Sequence, residues 1–205
     1  MTGQVLSLLQ MAKAPNHPSR YADAALVIID AQREYSEGGL PLPNVATATA
    51  EIAKLLTIAR AQGVPVFHVV HHAPAGRGLF DESGPMAEIL PQLKPMDGEA
   101  VVIKRLPNSF AGTDLADKIK ASGRREIVIC GFMTHMCVSA TARAALDLGF
   151  RNTVVAAATG TRALPDPLGG EPLSAEAVGR AALVELADRF SIVIRDAAAW
   201  QAGQG

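Results

Sequence analysis

Six short apolar runs, separated by segments with helical periodicity, constrain the fold of this chain more than any other feature. The runs fall at residues 24–30, 64–70, 100–104, 126–131, 153–158 and 190–194. Apolar residues recur at three-to-four spacing over 45–62, 113–122, 136–148 and 174–187, which is the signature of helices with one buried stripe. Near-continuous stretches such as Leu26-Val27-Ile28-Ile29 and Ile127-Val128-Ile129 suit strands covered on both faces. Parallel strands need crossover connections, and these are right-handed, so helices come to lie on both sides of the sheet. The expected fold class is α/β: a three-layer α/β/α sandwich, Rossmann-like, with a parallel six-stranded sheet.

The punctuation agrees with the periodicity. Thr113 with Asp114, and Ser174 with Glu176, supply helix-start chemistry, while Gly63, Gly123 and Gly149 stand where helices should stop. Two longer connections, 72–99 and 160–173, are rich in Gly and Pro. Loops of that length in a compact domain serve as lids or substrate-selecting walls, or are exposed excursions.

The 205 residues suffice for one sizeable core. Residues 1–23 are expected to form a polar leader and residues 24–205 a single domain. With 49% hydrophobic and 19% charged residues and a net charge of -1, the composition excludes disorder. No basic stripe points to nucleic acid, and no apolar stretch approaches the roughly 20 residues needed to span a bilayer. The leader has no apolar core followed by a small-residue cleavage site, so a cytoplasmic location is expected. Cys130 and Cys137 can build neither a disulfide framework nor a paired-cysteine metal site, and a reduced thiol is the expectation.

Three of the runs end at, or lead into, a residue that can do chemistry: Asp30, Lys104 and Cys137. In an open parallel sheet, ligands bind outside the carboxyl ends of the strands, so such ends can bring an acid, a base and a nucleophile together. A carboxylate or an ammonium closing an apolar strand is costly alone, and each offsets the other when paired. Cys137 lies where a turn from Gly131 enters a helix, a place where the helix dipole favours a thiolate over a thiol of ordinary pKa about 8.5. Backbone N–H groups there could also hold an oxyanion. His68, His71 and His72 invite a metal, but strand alternation puts His68 and His72 on one face and His71 on the other. No metal is expected. Tyr35, His71, Phe110 and His135 flank the reactive strand ends and are candidate pocket-wall residues.

The segments Val27-Ile28-Ile29-Asp30-Ala31-Gln32, Lys104-Arg105-Leu106-Pro107-Asn108-Ser109-Phe110-Ala111-Gly112-Thr113 and Gly131-Phe132-Met133-Thr134-His135-Met136-Cys137-Val138 together resemble the isochorismatase-like cysteine hydrolases. The resemblance runs from about residue 24 to 194. It implies the isochorismatase-like hydrolase fold, a catalytic triad of Asp30, Lys104 and Cys137, a cis peptide between Phe132 and Met133, and an oxyanion hole from the N–H groups of Met133 and Cys137. It also implies association, with a homodimer the expected state.

The nicotinamidase-like branch carries an Asp-x-His and a distant His for a metal, and no Asp-x-His follows Asp30. True isochorismatases cleave a vinyl ether and typically lack the cysteine, so Cys137 points to hydrolysis of an amide-like C–N bond of a small molecule through a thioester, with no cofactor. Two alternatives stay open: a vinyl ether hydrolase in which Cys137 is dispensable, and a catalytically silent small-molecule-binding homologue.

Overall fold

The computed structural model describes residues 4–204. Six parallel strands form one sheet: β1 (Ala24–Ile29), β2 (Val66–His71), β3 (Ala100–Lys104), β4 (Glu126–Phe132), β5 (Arg151–Gly160) and β6 (Ile192–Ile194). Their order is β3-β2-β1-β4-β5-β6, with every pairing parallel. The helices are α1 (Leu8–Met11), α2 (Val45–Ala61), α3 (Leu115–Ala121), α4 (Ser139–Asp147), α5 (Ala175–Arg189) and α6 (Ala197–Ala202). The expected three-layer α/β/α architecture is the one observed.

Two buried clusters flank the sheet, and strand alternation sorts residues between them. Leu26, Ile28, Val128 and Cys130 face α2 and α6, packing with Ile52, Leu55, Leu56 and Trp200. Val27, Ile29, Ile127 and Ile129 face the other way, with Leu115, Ile119, Ala142 and Leu186 from α3, α4 and α5 and with Val138 just before α4. Every residue of β1 is buried, as its unbroken apolar run requires.

Boundaries shift by small amounts for local reasons. Strand β2 starts at Val66 rather than 64, because Pro65 has no N–H to give a ladder. Strand β5 is longer than expected because its register with β4 slips between Ile129 and Gly131, which accommodates extra residues in a bulge. The short α1 and α6 carry too few turns to register as periodic patterns.

Connection 72–99 is fastened over the carboxyl ends of β1 and β2. Gln32 bridges to Ile89 and Ala73 to Asp81, Arg33 N–H donates to Glu88 O at 2.9 Å, and Leu90 N–H donates to Ala31 O at 2.9 Å. Two short 3-10 turns, Pro85–Ala87 and Pro91–Leu93, stiffen it. The loop is a wall.

Candidate active site

Topology places the site. The chain leaves β1 on one side toward β2 and β3, then returns to lay β4 on the other side, and the gap between the diverging connections opens at the strands' carboxyl ends. Asp30 follows β1 there, Lys104 closes β3, and Cys137 lies in a single π turn, Thr134–Val138, between β4 and α4.

The three side chains meet in a sealed spot. Lys104 Nζ lies 2.8 Å from Asp30 Oδ2 and donates to Cys137 Sγ at 3.4 Å. Asp30 is 0%, Lys104 1% and Cys137 5% exposed, so these contacts act at low effective dielectric. Asp30 Oδ1 has no hydrogen-bond partner among the described residues. Lys104 thus stands beside both the Asp30 carboxylate and the Cys137 sulfur, so the acid and the thiol share one ammonium.

Backbone geometry enforces this. Asp30 has φ +48°, a left-handed conformation that Asp and Asn tolerate better than other side chains. Its N–H donates to Val69 O at 2.8 Å, and its carbonyl accepts from Gln32 N–H at 2.8 Å. Opposite, Gly131 has φ +111°, and a Cβ there would sit 1.9 Å from Ile29 O. The Phe132–Met133 peptide is cis, and the Met133 carbonyl accepts from Met136 and Val138 N–H groups.

Burial sets the protonation. It pushes the Cys137 thiol up to about 12, and the Asp30 carboxylate adds to this while Lys104 opposes it. The expectation of a thiol lowered by a helix start is corrected: the sulfur is desolvated beside a carboxylate, inside one π turn that precedes α4. Burial also raises the Asp30 carboxyl, against the pull of Lys104. Cys130 is fully buried on the opposite face, and burial raises its thiol further.

The wall candidates separate. Tyr35 is buried, with its ring edge-on to Phe80 at 5.2 Å and Phe132 at 5.4 Å; burial, then the Asp30 charge, raises its hydroxyl pKa. His71 is beside the reacting groups, with Nδ1 3.3 Å from Lys104 Nζ. His135 turns away and its Nδ1 pairs with Thr161 Oγ1, next to a cleft of ≈ 330 Å³ lined by Asn44, Thr134 and Gly160 among others. Phe110 stacks its ring on Phe150 at 5.9 Å and packs against the buried cluster that contains Cys137.

His68 Nε2 meets Glu99 Oε2 at 3.0 Å, and Glu99 in turn takes two bonds from Arg60, so the three histidines diverge. Among the described residues no group of three His, Cys, Asp or Glu side chains has metal-binding geometry.

Three supporting residues escaped the sequence reading. Gln32, fully buried, accepts from His71 N–H at 2.8 Å and donates to His71 O at 2.9 Å and Ala87 O at 2.7 Å. Glu34, also buried, accepts from the N–H groups of Gly39 and Phe80. Phe80, held by that bond at φ +57°, packs edge-on against both Tyr35 and His71. The polar character of Gln32 and Glu34 so close to an apolar strand was the available signal.

The model of the isochorismatase domain matches residues 24–198. The chain belongs to the isochorismatase family. It is 40% identical over 188 residues to the secreted isochorismatase effector Isc1 of Verticillium dahliae, covering 92% of this chain and 96% of that protein. It is 32% identical over 155 residues to a maleamate amidohydrolase of Pseudomonas putida, covering 67% and 72%. Among solved structures, an isochorismatase from Pseudomonas putida superposes with a TM-score of 0.89 at 37% identity, covering 95% of this chain and 98% of that one. This isochorismatase-family hydrolase therefore shares its fold with that structure over nearly the whole of both chains.

Proposed function

We propose that the protein is a cysteine-dependent amidohydrolase that cleaves a C–N bond of a small molecule through a thioester. The observation that carries this reading is the single ammonium of Lys104 shared by one carboxylate and one thiol, all three buried. Two anions beside one cation are disfavoured there, so the site retains one proton between Asp30 and Cys137. Moving that proton from sulfur to oxygen leaves the net charge unchanged, and the nucleophile forms without a low thiol pKa.

In this scheme Asp30 takes the Cys137 proton and Sγ attacks the substrate carbonyl carbon, while Met133 and Cys137 N–H groups hold the oxyanion. Protonated Asp30 then gives its proton to the departing nitrogen, and the C–N bond breaks. Water enters and loses a proton to Asp30, its oxygen attacks the thioester, and the proton returns to sulfur as the acid leaves. No organic cofactor takes part. The amidohydrolase of Pseudomonas putida among the relatives supports C–N rather than ether cleavage.

The test is ammonia or amine release from a panel of small amides by wild type and Cys137→Ala. Loss of turnover with an acyl adduct trapped on Cys137 in the wild type supports the scheme. Full turnover of the amides by Cys137→Ala would overturn it.

A further inference from the structure

We propose that His71 is a positioning residue that fixes the Lys104 ammonium between Asp30 and Cys137. This rests on the reading of those three residues as the reacting set. An ammonium has three N–H donors, and Lys104 Nζ has three neighbours that can accept: Asp30 Oδ2 at 2.8 Å, Cys137 Sγ at 3.4 Å and His71 Nδ1 at 3.3 Å. With all three directions taken, the ammonium is held in one orientation and has no N–H to spare for a substrate. Its action is on the charge of its neighbours.

The same contact fixes the histidine tautomer. Lys104 can only donate, so Nδ1 is the unprotonated nitrogen and the ring proton resides on Nε2. The ring is kept neutral by its surroundings. Burial comes first, and then the positive charges of Lys104, His72 and Arg105, bringing the imidazole down to about 4. The remaining groups around it are uncharged or already paired: Gln32 clamps its backbone, Phe80 packs edge-on against it, and Glu82 pairs with Arg105. A protonated His71 would face the ammonium with a donor and a like charge, and the three-way contact would break.

The experiment uses the full chain as wild type, His71→Asn and His71→Phe. Carbamidomethylation of Cys137 by iodoacetamide is followed across neutral to alkaline pH by peptide mass spectrometry, with Cys130 as the internal check that the fold is intact. His71→Phe is expected to slow Cys137 labelling about tenfold, the loss of one hydrogen bond to a charged group, and to move its pH profile upward. His71→Asn, whose amide oxygen can accept from the ammonium, is expected to recover most of the rate. A long-range proton–nitrogen spectrum of the wild type should show His71 protonated on Nε2 alone. A His71→Phe profile that superimposes on wild type, or a proton on Nδ1 at neutral pH, overturns the inference even if a variant misfolds. Lys104→Ala separates the two levels: labelling that responds to Lys104→Ala but not to His71→Phe defeats only the role of His71, whereas labelling indifferent to both defeats the reading of the site.

Discussion

Gly131 decides how near β4 can come to β1 beside Asp30. With φ +111° and a virtual Cβ 1.9 Å from Ile29 O, Gly131→Ala forces two neighbouring strands apart. It is expected to cost about 3 kcal/mol or more, read as a lowered urea midpoint. Asp30 is best probed with Asn, which tolerates the same φ of +48°. Asp30→Asn should lower turnover by about 10²–10⁴-fold, the usual worth of a general base, while its amide leaves Lys104 buried without a counter-charge. His71 adds a pH dependence whose direction follows from its pKa lying below the unfolded value. Between about 4 and the ordinary 6.5 the unfolded chain binds the extra proton, so stability falls as pH drops through that window. Thermal unfolding should show a steeper acid decline in wild type than in His71→Asn. At this scale the sequence was most readable where a charge ended an apolar strand, as at Asp30 and Lys104. It was least readable where an ordinary-looking polar residue became buried only because a distant loop closed over it, as at Gln32 and Glu34.

Elements hold the site through a few polar clasps. After β3, the segment carrying Ser109 is tied to α4: Ser109 N–H donates to Thr141 Oγ1 at 3.0 Å, and that hydroxyl donates to Ser109 Oγ at 2.9 Å. Thr141 stands one turn beyond Cys137, so the element carrying the ammonium is bound to the element carrying the thiol. Thr141→Val keeps the shape and removes both bonds. It is expected to cost about 1–3 kcal/mol by orphaning a buried N–H, measured by chemical denaturation. The helices and strands themselves were legible because their apolar periods are long. The wall made by 72–99 was not, since it has no period and is organised by single contacts such as Glu34 to Phe80 N–H at 3.0 Å.

For the whole molecule, the strand order places the chemistry at one end of the sheet and a different closure at the other. Trp200, fully buried and the chain's one tryptophan, donates from Nε1 to Ser19 O at 2.8 Å and packs edge-on to Tyr21 at 5.0 Å. Ser19 in turn reaches the starts of β4 and β5, donating to Ile127 O and Thr153 Oγ1. Trp200→Ala should cost about 3–5 kcal/mol, seen as a drop in melting temperature. The indole is therefore a built-in optical gauge of whether residues 18–21 and α6 are fastened together, and it is blind to events at Cys137. Tryptophan emission should follow unfolding faithfully and stay constant when a substrate arrives, so occupancy of the pocket has to be watched by the chemistry of the thiol.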